Sequence, residues 1–201
     1  MRQHAVTDVS ELPTWGYGHR SPVWRGTLGF NGIETTGFAL AIGAYLYLVH
    51  INPTWPLGNT LPDHWPGTVM TIVLLASLFP NWLADRNAHR QDLRAVRRDL
   101  VIMTVIGLLT IAIRFYEFHS LAVNWDQNAY GSVTWVILGL HATHLITDVG
   151  DTVVLAVLMF TRHGKGKRFS DVSDNAFYWY FVVLAWLPLY VIVYWLPRWG
   201  G

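Results

Sequence analysis

The amino-acid sequence predicts an all-α integral membrane protein with five transmembrane helices. Three observations carry that prediction. Only 13% of the 201 residues are charged and 52% are hydrophobic, whereas soluble domains carry about 25% charged residues. Five separate stretches are apolar over the length a helix needs to cross a hydrocarbon core, about 20 residues. Eleven tryptophans, a residue that favours membrane–water interfaces, complete the pattern.

The first span covers 28–49, LGFNGIETTGFALAIGAYLYLV. The second covers 69–84, the third 100–118, the fourth 130–161 and the fifth 177–196. Pro80 and Pro188 fall inside spans two and five, and each removes a backbone donor, so both mark expected kinks. No internal repeat and no low-complexity tract is visible. One domain is expected: an N-terminal segment at 1–26 and a transmembrane domain at 27–197. The opening residues, MRQHAVTDVSELPTWGYGHRS, are polar and contain acids, unlike a cleavable signal peptide.

Basic residues set the expected orientation. Arg2, Arg20 and Arg25 precede span one. Arg86, Arg90, Arg94, Arg97 and Arg98 follow span two, and Arg162, Lys165, Lys167 and Arg168 follow span four. The loops after spans one and three hold no Lys or Arg. The positive-inside rule then places the N-terminus in the cytoplasm and the C-terminus in the periplasm. The loop DRNAHRQDLRAVRRD reads as a topology determinant with helical charge pairs, such as Arg90 and Arg94 near Asp92. Contact with anionic headgroups is a compatible minor role. A net charge of +1 gives no reason to expect a nucleic-acid partner. The absence of cysteine excludes disulfides, thiolate metal sites and cysteine nucleophiles.

Ionisable residues inside a span are costly and are functional candidates by default. Span one has Glu34. Span three has Arg114 and Glu117 near its outer end, spaced i,i+3 and read as an interfacial ion pair. Span four has GLHATHLITDVGD, with His141, His144, Asp148 and Asp151. At about 100° per residue these four fall within an arc of about 80°. They form one polar stripe that should face other helices, with Leu138, Ile146 and Val153 on the opposite, lipid-facing side. Three readings are open. His141, His144 and Asp148 could ligate a metal. A bis-histidine haem is a second, and an interior polar seam with water and protons a third. The other histidines favour the seam: His50, His64 and His119 lie near the outer surface, and His89 and His163 in cytoplasmic loops. Glu34 is expected within hydrogen-bond reach of a span-four histidine.

The ordered motifs resemble subunit III of the haem–copper respiratory oxidases (cytochrome c or quinol oxidase), in the shorter five-helix bacterial form. The residues that carry the resemblance are Glu34 in ETTGFALAIGAYLYL, the segment VLLASLFPNWLA, and RFYEF at the end of span three. They continue with Tyr130, Gly131 and Ser132 followed by Gly139, His141 and His144, and with FYWYFVVLAWLPLYVIVYWLPRW in span five. The resemblance implies a V-shaped bundle, spans one and two against three to five, with phospholipid in the cleft. Gly37, Gly43, Trp82, Tyr178 and Trp179 are its cleft candidates. Small residues such as Gly37 and Gly43 permit close helix approach or a lipid groove. The resemblance also implies a subunit that is not itself catalytic and holds no metal. It packs on subunit I, with haem and copper in subunits I and II, and supports proton uptake in a bacterial inner membrane. The cleft is a proposed oxygen route.

This chain departs from the pattern. Tyr180 and Val183 stand where the family has a histidine and an aspartate, and Asp148 where it has a glycine. Asp151 is also unexpected, and only Ser173 or Asp174 lies near the family's glutamate ahead of span five. The acids on span four are therefore expected to stand in for the polar side chains that span five lacks, so that Asp148→Asn and Asp151→Asn weaken the subunit or its docking. Alternatives are a subunit III-like component of a nitric oxide reductase, a self-sufficient metalloenzyme using His141, His144 and Asp148, and a small transporter. The missing internal repeat disfavours the transporter.

Overall fold

The structure is a computed structural model that describes residues 15–59, 61–162 and 164–199. Arg2 and His163, and residues 1–14 of the N-terminal segment, lie outside the described residues. Helix α1 (Pro22–Ile51) opens on a proline, with the Ser21 hydroxyl accepting from the Trp24 N–H. Helix α2 (His64–His89) is capped by Asp63, α3 (Leu93–Ser120) by Asp92 and α4 (Ala129–Phe160) by Asn128. Helix α5 (Lys167–Tyr190) follows Gly166, whose φ of 47° is open to glycine. A π-helical stretch (Val191–Trp195) and a last turn, α6 (Leu196–Trp199), complete the chain.

The five long helices are each long and apolar enough to cross a membrane. They overrun the apolar windows at most ends. Hydropathy falls off at the first charges, but a capped helix continues through polar residues. The clearest case is α5, which starts at Lys167 rather than 177 and buries Phe169, Val172 and Ala176 along KRFSDVSDNA. Pro80 sits inside α2 without ending it. Pro188 precedes the π-helical stretch, where backbone bonding is already irregular. The basic loop is not one helix. Three residues, 90–92, turn the chain between α2 and α3, with Gln91 left-handed at φ 56°. Asp92 spends its carboxylate on the N–H groups of Arg94 and Ala95 rather than on helical charge pairs.

Packing closes α2, α3, α4 and α5 into a ring, each in contact with its two neighbours, and α1 lies in the groove between α4 and α5. Spans one and two therefore do not form one arm of a V. The reason lies in α1, whose buried residues Asn31, Phe38 and Tyr45 repeat every seven positions. That single seam suffices for one groove and no more. Its other faces, with Ile33, Leu40 and Tyr47, are exposed. Within the ring, Trp179 donates from Nε1 to Ser77 Oγ at 2.8 Å, and Asn81 Nδ2 donates to the Ala176 carbonyl at 2.9 Å, tying α2 to α5. At Gly131 a Cβ would collide with the Asn124 carbonyl oxygen, so glycine lets the loop before α4 fold back on that helix. At the opposite end Tyr17 donates to the Ala88 carbonyl at 3.0 Å and stacks on His89. Burial raises the pKa of that hydroxyl above its ordinary value.

Candidate functional site: two polar networks inside the bundle

The stripe on α4 divides between two networks. The first lies among α3, α4 and α5. Arg114 and Glu117 project from successive turns of α3 and form an ion pair, Nη1 to Oε2 at 2.5 Å. Arg114 is 2% exposed and Glu117 0%. The pair is therefore buried and not interfacial, because α5 and the π-helical stretch cover it. Tyr194 donates its hydroxyl to Glu117 Oε1. The Arg114 guanidinium lies 4.3 Å from the Trp186 ring centroid, and Trp186 donates from Nε1 to Thr71 Oγ1 on α2 at 2.8 Å.

His141 joins this network with both nitrogens. Nε2 lies 3.1 Å from the Val182 carbonyl, which can only accept, so Nε2 carries the proton. Nδ1 then accepts from Arg114 Nη2 at 2.8 Å. The ring is a neutral imidazole with no lone pair left for a metal.

The second network lies where α1, α4 and α5 meet. His144 Nε2 is 3.2 Å from Glu34 Oε1, so Glu34 meets a span-four histidine. Tyr178 of α5 donates to the same Oε1 at 3.0 Å. His144 Nδ1 lies 2.6 Å from the Leu140 carbonyl. These groups face a cavity of about 900 Å³ whose wall also includes Asp148, Asp151, Asp171 and Asp174. Asp148 is 1% exposed, and neither of its oxygens has a partner among the described residues.

Several expectations are corrected. Leu138 is fully buried. Three residues before His141, it lies about 60° from that residue on the wheel, beside the stripe rather than opposite it. Ile146 and Val153 do face outward. Asp151, at the stripe's edge, is exposed at the cavity rim instead of facing a helix. Asp148 makes no hydrogen bond to α5, so it does not stand in for polar groups there. Helix α5 and the π-helical stretch supply their own through Tyr178, Tyr194 and Asn175, the last bonded to Thr152 at 3.0 Å. Of the cleft candidates, Tyr178 lines the cavity. Trp179 is buried against α2, and Trp82 is exposed beneath the Arg86 guanidinium. Gly37 faces Leu140, and Gly43 faces open space. His141, His144 and Asp148 do not gather as a metal triad. Among the described residues no three His, Asp or Glu side chains are grouped to hold a metal ion.

Sequence reasoning missed Trp186 and Tyr194 as partners of the buried pair. The signal was present: Trp186, Tyr190 and Tyr194 repeat at i, i+4, i+8 and share a helix face.

Comparison with known proteins gives a consistent picture. The family model for cytochrome c oxidase subunit III matches residues 30–200. A cytochrome c oxidase subunit 3 from Thermostichus vulcanus is 26% identical over 187 residues, covering 90% of this chain and 92% of the relative. The corresponding protein of Synechocystis sp. is 28% identical, with 89% and 77% covered. The human protein is 29% identical, with 96% and 77% covered. The match reaches into every long helix and takes in both polar networks rather than one motif, and on that ground the chain belongs to the cytochrome c oxidase subunit III family.

Proposed function

We propose that this chain is the non-redox accessory subunit III of a haem–copper terminal oxidase in a bacterial inner membrane. It packs directly on subunit I, stabilises it, binds phospholipid and supports proton uptake in aerobic electron transport. Haem and copper reside in subunits I and II. The N-terminal segment, 1–26, is cytoplasmic, the C-terminus is periplasmic, and 27–197 is the membrane domain, an orientation supported by the Lys and Arg distribution. The observation that carries the reading is the family match over residues 30–200. The side chains agree with it: both nitrogens of His141 serve the bundle's own hydrogen bonds. Among the described residues no cluster of His, Asp or Glu side chains is placed to hold a copper centre. Apolar faces on α1 and α3, with Ile33, Leu40, Phe115 and Tyr116 exposed, are available to lipid and to subunit I.

Purification of the tagged full chain in mild detergent tests this reading. Haem-bearing and copper-bearing chains are expected to co-purify, and the absorption spectrum is expected to follow them when they are stripped away. A chain that purifies alone, or that carries its own chromophore, would contradict it.

A further inference from the structure

We infer that the groove between α3 and α4 holds one anionic phospholipid of the cytoplasmic leaflet, with an acyl chain along Val101, Val105, Val153 and Val157 and the phosphate on Arg97. The inference rests on the lipid-binding and orientation parts of the reading above. It gives them a site on this chain, on the side of α4 away from the Glu34 cavity.

The groove encloses about 510 Å³. Each helix contributes one stripe to its wall. On α3 Val101 and Val105 are spaced i,i+4, and on α4 Val153, Val157 and Phe160 keep the same helical period. All five side chains are exposed. Among the described residues no acid lines the groove, so it suits hydrocarbon and not a cation.

The length of the groove separates a lipid from a partner helix. A Cβ at Gly107 would stand 2.5 Å from Val149 Cγ2, so α3 and α4 close on each other there and end the groove. From Arg97 to Gly107 α3 rises about 15 Å, half of a hydrocarbon core of about 30 Å. A transmembrane helix of a partner would need a seam along the whole core. A phospholipid tail needs one leaflet.

Charge selects the headgroup. Arg97 donates from Nε to the Met159 carbonyl at 2.7 Å, and its guanidinium carbon lies 5.2 Å from the Phe160 ring centroid. These two contacts hold the planar fork beside Phe160, at the cytoplasmic mouth of the groove. Among the described residues no carboxylate pairs with Arg97, whereas its neighbour Arg98 is paired with Asp99 at 2.8 Å. A guanidinium fork matches the oxygens of a phosphate. Arg94, one turn earlier on the same face of α3, and Arg162, two residues after Phe160, are both exposed. Their added positive charge favours an anionic headgroup over a zwitterionic one.

Photolabelling of the full chain in its purified assembly tests this. The assembly is reconstituted in phosphatidylcholine vesicles that contain phosphatidylglycerol with a diazirine partway along one acyl chain. Peptide mass spectrometry reads the label on residues 101–105 and 153–157 relative to label elsewhere on the chain. Enrichment in the groove is expected with this phosphatidylglycerol and not with a phosphatidylcholine that carries the same diazirine. Arg97→Gln is expected to lower the enrichment about fivefold, the worth of one basic side chain at an anionic surface. Val157→Trp fills the groove from an exposed position and is expected to abolish it. Equal labelling by the two lipids overturns the inference, as does enrichment that survives either variant. A groove that takes no label also overturns it, because a protein chain then covers the site. Should Arg97→Gln not accumulate, the two-lipid comparison and Val157→Trp decide. The label reads the groove in whatever assembly holds the chain, so its failure leaves the family role standing. A failed co-purification, conversely, leaves the label readable.

Discussion

Replacing Arg114 with leucine is expected to destabilise the bundle by about 3–5 kcal/mol, the usual result of breaking a buried ion pair from one side. The guanidinium supplies the cation for Glu117, a donor for His141 Nδ1 and a partner for the Trp186 ring. Its loss strands a fully buried carboxylate whose remaining partner is the Tyr194 hydroxyl. It also leaves Nδ1 of His141 without a donor. Thermal unfolding of the full chain in mild detergent, followed by circular dichroism, measures the loss. The double variant Arg114→Leu/Glu117→Leu is expected to be more stable than Arg114→Leu alone, because removing both charges removes the stranded one. A single variant as stable as the parent would show that the pair does not hold the helices.

Gly67→Ala is expected to disturb the same network from α2. A Cβ at Gly67 would stand 2.5 Å from Tyr194 Cε2 and 2.6 Å from Cζ. The ring has little freedom, because its hydroxyl is bonded to Glu117 and its backbone belongs to the π-helical stretch. Overpacking of this kind costs about 1–3 kcal/mol. If the ring is pushed off Glu117, a hydrogen bond to a charged group, worth about 1.5–3 kcal/mol, is lost as well. Tyr194→Leu removes the clash along with the bond. The double variant should therefore be less destabilised than the sum of the singles, by about 0.5–3 kcal/mol as coupled neighbours show. Strict additivity in the same unfolding assay would mean that α2 and the tail of α5 do not meet as described.

The parts of this fold that were legible in the sequence are the local ones. Apolar length is a property of a single segment, so five spans could be found one at a time. The wheel placed His141, His144 and Asp148 on one inward face because 3.6 residues per turn is also a local rule. What the sequence does not carry is which helix covers which. Arg114 and Glu117 sit near the end of their apolar window, which suggested an interface. They are buried because α5 continues past Pro188 into a π-helical stretch that brings Tyr194 over them. The two histidines differ for the same reason. His141 meets Arg114 and His144 meets Glu34, partners far apart in sequence, so one ring is locked inside the bundle and the other faces the cavity beside Glu34. The two-plus-three division failed because α1 has only one narrow buried seam, and that seam fits the groove of α4 and α5.

The most direct test of the accessory role is oxygen consumption by membranes from which this chain has been deleted. The haem spectrum and the initial rate of oxygen reduction are expected to survive. The rate is then expected to decline over successive turnovers and to recover when the chain is restored. Loss of the haem centre itself on deletion, or an oxygen trace unchanged through prolonged turnover, would contradict the account.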